Sequence, residues 1–115
     1  MLSPVTYNHI YIKLSFTNNE LFVTGNSLLL LEKLESIIKN YLTPVKNLTY
    51  DFPYGGHSGC IILSESHLTW HTYPEENFLV IDVYSCKKFS YNSLLNELSN
   101  FLNVSILDYE VIEKT

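Results

Sequence analysis

Glu65-Ser66 is followed five residues later by His71 and, after one more apolar run, by Cys86. These side chains supply a hydroxyl nucleophile beside an acidic residue, an imidazole base and a thiol acid. Each alone has an ordinary reading: a serine at such a junction is usually a turn residue, and a strand histidine is as often a hydrogen-bonded structural group as a base. Their joint occurrence points instead to a reaction of the chain on its own backbone. Attack of the Ser66 hydroxyl on the Glu65 carbonyl exchanges an amide for an ester, and removal of the Ser66 α-proton by His71 then breaks the chain by β-elimination. The new amino terminus loses ammonia and becomes a pyruvoyl group, a ketone that condenses with a substrate amine and accepts the electrons a departing carboxylate leaves behind. Ser58 would hold the oxyanion of the acyl shift through its hydroxyl, and Cys86 would return a proton to the substrate carbon. Lys87 and Lys88 follow Cys86 and favour its thiolate.

A ketone of this kind performs the task of pyridoxal phosphate, so no such cofactor is expected. No metal is expected either, because His57, Cys60, His67, His71 and Cys86 form no Cys-x-x-Cys or His-x-x-x-His pair.

The patterning predicts the frame that must position these groups. Ile10, Ile12, Leu14 and Phe16 alternate with His9, Tyr11, Lys13 and Ser15, which predicts a strand over Tyr7 to Phe16. Leu21-Phe22-Val23 reads as a short strand. Asn26 or Ser27 caps a helix whose apolar stripe is Leu30, Leu31, Leu34, Ile37, Ile38, Tyr41 and Leu42, ended by Pro44. Strands follow at Val45 to Phe52, Gly59 to Ser64, Leu68 to Tyr73 and Phe78 to Ser85, separated by Tyr54-Gly55-Gly56-His57 and by Pro74-Glu75-Glu76-Asn77. Cys60, inside a continuous apolar run, reads as a small core residue. Ser90 or Ser93 caps a second helix with Tyr91, Leu94, Leu95, Leu98, Phe101 and Leu102 inward, before a last strand over Val104 to Ile112. This order predicts an α+β fold: a two-layer α/β sandwich, mainly antiparallel, with two helices on one face.

The chain has 115 residues, 46% hydrophobic, with nine Tyr and a formal charge of −5. That suits one domain over residues 1–115, with cleavage between Glu65 and Ser66 giving a β chain 1–65 and an α chain 66–115. Only seven Lys and Arg argue against nucleic acid and anionic membranes as partners. Met1 to Val5 shows no leader pattern and no apolar run approaches a span, so a cytoplasmic location is expected, with both cysteines reduced.

The run His57-Ser58-Gly59-Cys60-Ile61-Ile62-Leu63-Ser64-Glu65-Ser66-His67-Leu68-Thr69-Trp70-His71-Thr72-Tyr73-Pro74-Glu75, with Ile81-Asp82-Val83-Tyr84-Ser85-Cys86, closely resembles the prokaryotic S-adenosylmethionine decarboxylase proenzymes. The resemblance implies that Ser66 becomes the pyruvoyl group, His71 drives processing assisted by Ser58, and Cys86 is the catalytic acid. It further implies that Phe52 stacks on the adenine of S-adenosylmethionine and that Glu75 binds its ribose hydroxyls. The product would be decarboxylated S-adenosylmethionine for spermidine synthesis. A homodimer formed through the sheets, with both protomers supplying the sites, is implied as well. Two other functions keep the same motif: a paralogue that decarboxylates ornithine or arginine, and a non-catalytic homologue that regulates an active one.

Overall fold

A strand that buries every second residue needs a covering layer on that face alone. The computed structural model, which describes residues 7–114, follows this rule in its four inner strands. The elements are β1 (Tyr7–Ser15), α1 (Ser27–Ile38), β2 (Pro44–Asp51), β3 (His57–Leu63), β4 (Ser66–Tyr73), β5 (Phe78–Ser85), α2 (Tyr91–Leu102) and β6 (Ser105–Lys114). Single 3-10 turns lie at Glu20–Phe22 and Pro74–Glu76. The strands form one six-stranded sheet in the order β2-β3-β4-β5-β1-β6, every neighbouring pair antiparallel. This is the expected two-layer α+β sandwich. Met1 to Val5 and the far ends of the 1–115 domain lie outside the described residues.

One face of the sheet carries Ile10, Ile12, Leu14, Ile61, Leu68, Trp70, Leu79, Ile81 and Val83, all buried, in one core with Leu30, Leu34 and Ile38 of α1 and Leu94, Leu98 and Leu102 of α2. Among the described residues no helix lies over the opposite face. Leu48, Tyr50 and Ile62 belong to that open face and are 72%, 58% and 49% exposed.

Several expectations need correction. Leu21-Phe22-Val23 is not a strand: Asn19 accepts the Leu21 N–H and starts a 3-10 turn that buries Phe22 against Phe16, ring centroids 4.3 Å apart. α1 stops at Ile38, and Tyr41 and Leu42 return their N–H groups to the Ile38 carbonyl at 2.9 Å each, so Leu42 reaches the core from a turn. Pro44 opens β2, a position where its missing N–H costs no ladder bond. Phe101 is exposed, with Lys33 Nζ 4.9 Å from its ring centroid. Cys60 is half-exposed on the open face, because His57, Gly59, Ile61 and Leu63 are the β3 residues that turn to the helices.

Trp70 ties β4 to β3. Its Nε1–H donates to His57 Nδ1 at 3.1 Å, and His57 Nε2 bonds the Leu21 carbonyl at 2.9 Å. The indole lies across Gly59, where a Cβ would sit 2.1 Å from a ring carbon. Gly59→Ala should therefore cost about 1–3 kcal/mol by overpacking, read as a lower urea midpoint with an unchanged slope; a midpoint equal to wild type would contradict this packing. Burial pushes the pKa of His57 below its ordinary value, opposed by the Leu21 bond and by Asp51. Below about pH 6.5 the unfolded chain thus binds a proton that the folded chain does not, so stability is full above that pH and falls as pH is lowered. Urea midpoints at about pH 7.5 and about pH 5.5 should differ in that sense, and His57 titrating at or above its ordinary value by NMR would contradict it.

Candidate active site

β3 and β4 are joined by the two residues Ser64-Glu65, with Leu63 facing Ser66 as the last pair. Reversals this short demand backbone angles that suit glycine, yet no glycine is present. The cost falls on Ser66, whose φ is +155°, a conformation that costs a side-chain-bearing residue about 1–3 kcal/mol. Backbone strain therefore falls at the Glu65-Ser66 junction.

Three sets of contacts hold the turn against that strain. The Glu65 carbonyl accepts the Cys86 N–H at 3.0 Å, and the Ser64 N–H donates to the Thr43 carbonyl at 2.9 Å. The Glu65 carboxylate accepts the Thr43 N–H at 2.9 Å through Oε1 and the Thr43 hydroxyl at 3.0 Å through Oε2. Hydrogen bonds from Thr43, its backbone N–H foremost, keep the Glu65 carboxyl below its ordinary pKa, with Lys87 nearby. Cys86 is an exposed free thiol just past β5, whose last residue Ser85 pairs with Ser66. The Ser85 hydroxyl accepts the Lys87 N–H at 2.9 Å and donates to the Lys87 carbonyl at 2.8 Å, which bends the chain at Cys86.

Ser58 and His71 are cross-strand partners on the open face, Oγ to Nδ1 2.6 Å. When Nδ1–H is the donor in this bond, Nε2 keeps a free lone pair and the ring is a base. Leu48, Tyr50, Cys60 and Thr69 surround the pair in a shallow depression of about 260 Å³. Phe52 leaves the end of β2 edge-on to Tyr50, ring centroids 5.2 Å apart. Glu75 lies in the Pro74–Glu76 turn against Gly55, where a Cβ would come 3.3 Å from Glu75 Oε2.

The loop that carries Phe52 is fastened to the start of α1. Asp51 Oδ1 accepts the N–H groups of Gly25 at 2.7 Å and Ser27 at 3.2 Å, and Oδ2 accepts the Ser27 hydroxyl at 2.6 Å. Partial burial would raise the Asp51 pKa, but these bonds outweigh it and the carboxyl lies below its ordinary value. The helix is thus capped from β2, since the Asn26 side chain makes no capping bond. Thr24 donates its hydroxyl to the Phe52 carbonyl and its N–H to the Gly55 carbonyl.

Ser66 and His71 are five residues apart on β4, about 16 Å at the rise of a strand. Along the strands these residues therefore fall into two groups. Glu65, Ser66 and Cys86 meet at one end of the sheet; Ser58, His71, Phe52 and Glu75 gather at the other. Sequence reasoning missed the Cys86 N–H and Thr43. A backbone donor leaves no side-chain signature, and Thr43-Pro44 read only as the end of a helix. Among the described residues no group of three or more His, Cys, Asp or Glu is placed to hold a metal, and no helix is long and apolar enough to cross a membrane.

The architecture is that of the crystal structure of the adenosylmethionine decarboxylase from Aquifex aeolicus, matched over 97% of this chain and 91% of that one with a TM-score of 0.72; at 24% identity this likeness shows the fold. The S-adenosylmethionine decarboxylase family model matches residues 26–115, and the chain belongs to that family. It is 35% identical over 81 residues to the S-adenosylmethionine decarboxylase proenzyme of Clostridium botulinum strain Loch Maree, covering 70% of this chain and 68% of that one. It is 30% identical over 80 residues to the proenzyme of the same name from Picrophilus torridus, covering 69% of this chain and 62% of that relative.

Proposed function

We propose that this chain is a self-processing, pyruvoyl-dependent S-adenosylmethionine decarboxylase working in the cytoplasm as a homodimer. It would release carbon dioxide and decarboxylated S-adenosylmethionine, the aminopropyl donor for spermidine synthesis. The observation that carries the proposal is the strained Ser66, φ +155°, preceded by a carbonyl that already accepts the Cys86 N–H at 3.0 Å. Family membership and relatives named as proenzymes support it.

Self-cleavage begins when Ser66 Oγ attacks the Glu65 carbonyl carbon. The C–N bond breaks, the nitrogen takes up a proton, and the product is an ester in which the strained peptide no longer exists. The Cys86 N–H steadies the negative oxygen of the tetrahedral intermediate, and release of strain favours the forward direction. His71 then removes the Ser66 α-proton, the Cβ–O bond breaks, and Glu65 departs as the carboxyl terminus of the β chain. Addition of water and loss of ammonia leave the ketone on the new amino terminus.

A second copy of the chain is part of this function, since His71 of the same protomer lies about 16 Å along the strand from Ser66. Stacked sheets lie about 10 Å apart, within reach of facing side chains. A two-fold axis running between the open faces and across the strands sets the Ser66 end of one β4 against the His71 end of the other; an axis along the strands sets like ends together. The first arrangement brings the Ser66 end of one chain and the His71 end of the other to the same side of the interface, and it covers the exposed Leu48, Tyr50 and Ile62.

A pyruvoyl group supplies an electron sink for the carbon that loses carboxylate, and the surroundings of Ser66 fit its formation. Cys86, exposed beside Ser66, would deliver the proton that replaces the carboxylate. Phe52 would stack on the adenine and Glu75 would accept the ribose hydroxyls, both from the half-site of the facing protomer.

Intact mass spectrometry under denaturing conditions tests the proposal. Wild type should give fragments 1–65 and 66–115, the second with a blocked, pyruvoyl amino terminus, and should release carbon dioxide from carboxyl-labelled S-adenosylmethionine. Ser66→Ala should give a single chain. A wild-type chain that stays whole after prolonged incubation would overturn the proposal.

A further inference from the structure

We propose that Thr43 is a positioning residue for self-cleavage, holding the Glu65 side chain so that the Glu65–Ser66 peptide stays in its strained form until Ser66 attacks. The inference rests on the self-cleaving function above and adds a residue that lies outside the reacting atoms.

Three hydrogen bonds join Thr43 to the turn: its carbonyl accepts the Ser64 N–H, its N–H donates to Glu65 Oε1, and its hydroxyl donates to Glu65 Oε2, at 2.9, 2.9 and 3.0 Å. Two of them are charge-assisted, the stronger class of protein hydrogen bond. Thr43 is itself fixed from both sides. Leu42 before it is buried at 3% exposure, and Pro44 after it is locked in φ and confines Thr43 to extended backbone. The clamp is therefore preorganised and needs no ordering when the turn forms.

On the other side of the same residue, the Cys86 N–H holds the Glu65 carbonyl. Glu65 is thus gripped by its side chain from the residue before β2 and by its backbone from the residue after β5. A turn gripped on one side only relaxes by letting Glu65 rotate, which moves Ser66 toward an ordinary φ and swings the carbonyl off the Cys86 N–H. The hydroxyl contact governs the acyl shift through geometry, and the acyl shift is the step in which the Glu65 carbonyl carbon changes its bond from nitrogen to the Ser66 oxygen.

Newly translated chains, followed by intact mass over time, supply the test. Thr43→Val keeps the shape and the backbone N–H but lacks the hydroxyl, and should slow cleavage roughly 10- to 100-fold. Thr43→Ser, which restores the donor, should cleave within about threefold of wild type. Glu65→Ala should be slow, and Thr43→Val added to it should change the rate little, because the hydroxyl's acceptor is already gone. Brief treatment with hydroxylamine, which cuts an ester but not an amide, should trap a smaller ester fraction in Thr43→Val than in wild type, at temperatures where thermal melting shows both folded. Wild-type cleavage rate and ester fraction in Thr43→Val, or equal slowing in Thr43→Ser, would overturn the positioning role while leaving self-cleavage intact. If wild type never cleaves, the function itself fails.

Discussion

Everything proposed for this protein depends on one two-residue reversal without glycine. Ser64-Glu65 turns β3 into β4, and the backbone cost appears at Ser66 with φ +155°. Such a conformation persists only where the surroundings over-determine it. Here Thr43, just before β2, and Cys86, just past β5, hold the same residue from opposite sides. The strained backbone and both of its anchors meet at the Glu65–Ser66 junction, where the proposed cleavage falls.

The same sheet sets the core and the Ser58–His71 pair on opposite faces by parity, with Ser66 at the end of the row of Leu68 and Trp70. Residues of one parity on β3, β4 and β5 pack under the helices, and Trp70 crossing Gly59 to reach His57 fastens that layer. Residues of the other parity, Ser58 and His71 among them, look out over an uncovered face. The core therefore belongs to one chain alone, whereas the proposed chemistry draws on both ends of its strands. The Asp51 cap and the Thr24 bonds fix the Phe52 loop to α1, so that loop has its own anchorage, independent of the strained hairpin.

Much of this was legible in the residues. Ile10, Ile12 and Leu14 announced β1 by alternation, Leu30, Leu34 and Ile38 announced α1 by helical spacing, and the Glu65-Ser66, His71, Cys86 spacing singled out the hairpin. What escaped has physical causes. Gly59-Cys60-Ile61-Ile62-Leu63 is continuously apolar, so alternation cannot show that Cys60 and Ile62 turn outward. Leu21-Phe22-Val23 has strand-like residues, but the Asn19 cap and the burial of Phe22 override local preference. The separation of Ser66 from His71 is a matter of strand rise, invisible until both are placed on β4. The grip of Thr43 joins elements that sequence order keeps apart.

The central claim is that one catalytic site needs half-sites from two copies of the chain, and mixing two defective chains tests it most directly. Ser66→Ala lacks the residue that is cut and His71→Ala lacks the base, so each expressed alone should stay whole. Co-expressed with different tags, the His71→Ala chain should be cleaved at Glu65–Ser66, because its partner supplies an intact His71, while the Ser66→Ala chain stays whole. Failure to cleave either chain in mixed dimers, or full cleavage of His71→Ala expressed alone, would contradict the account.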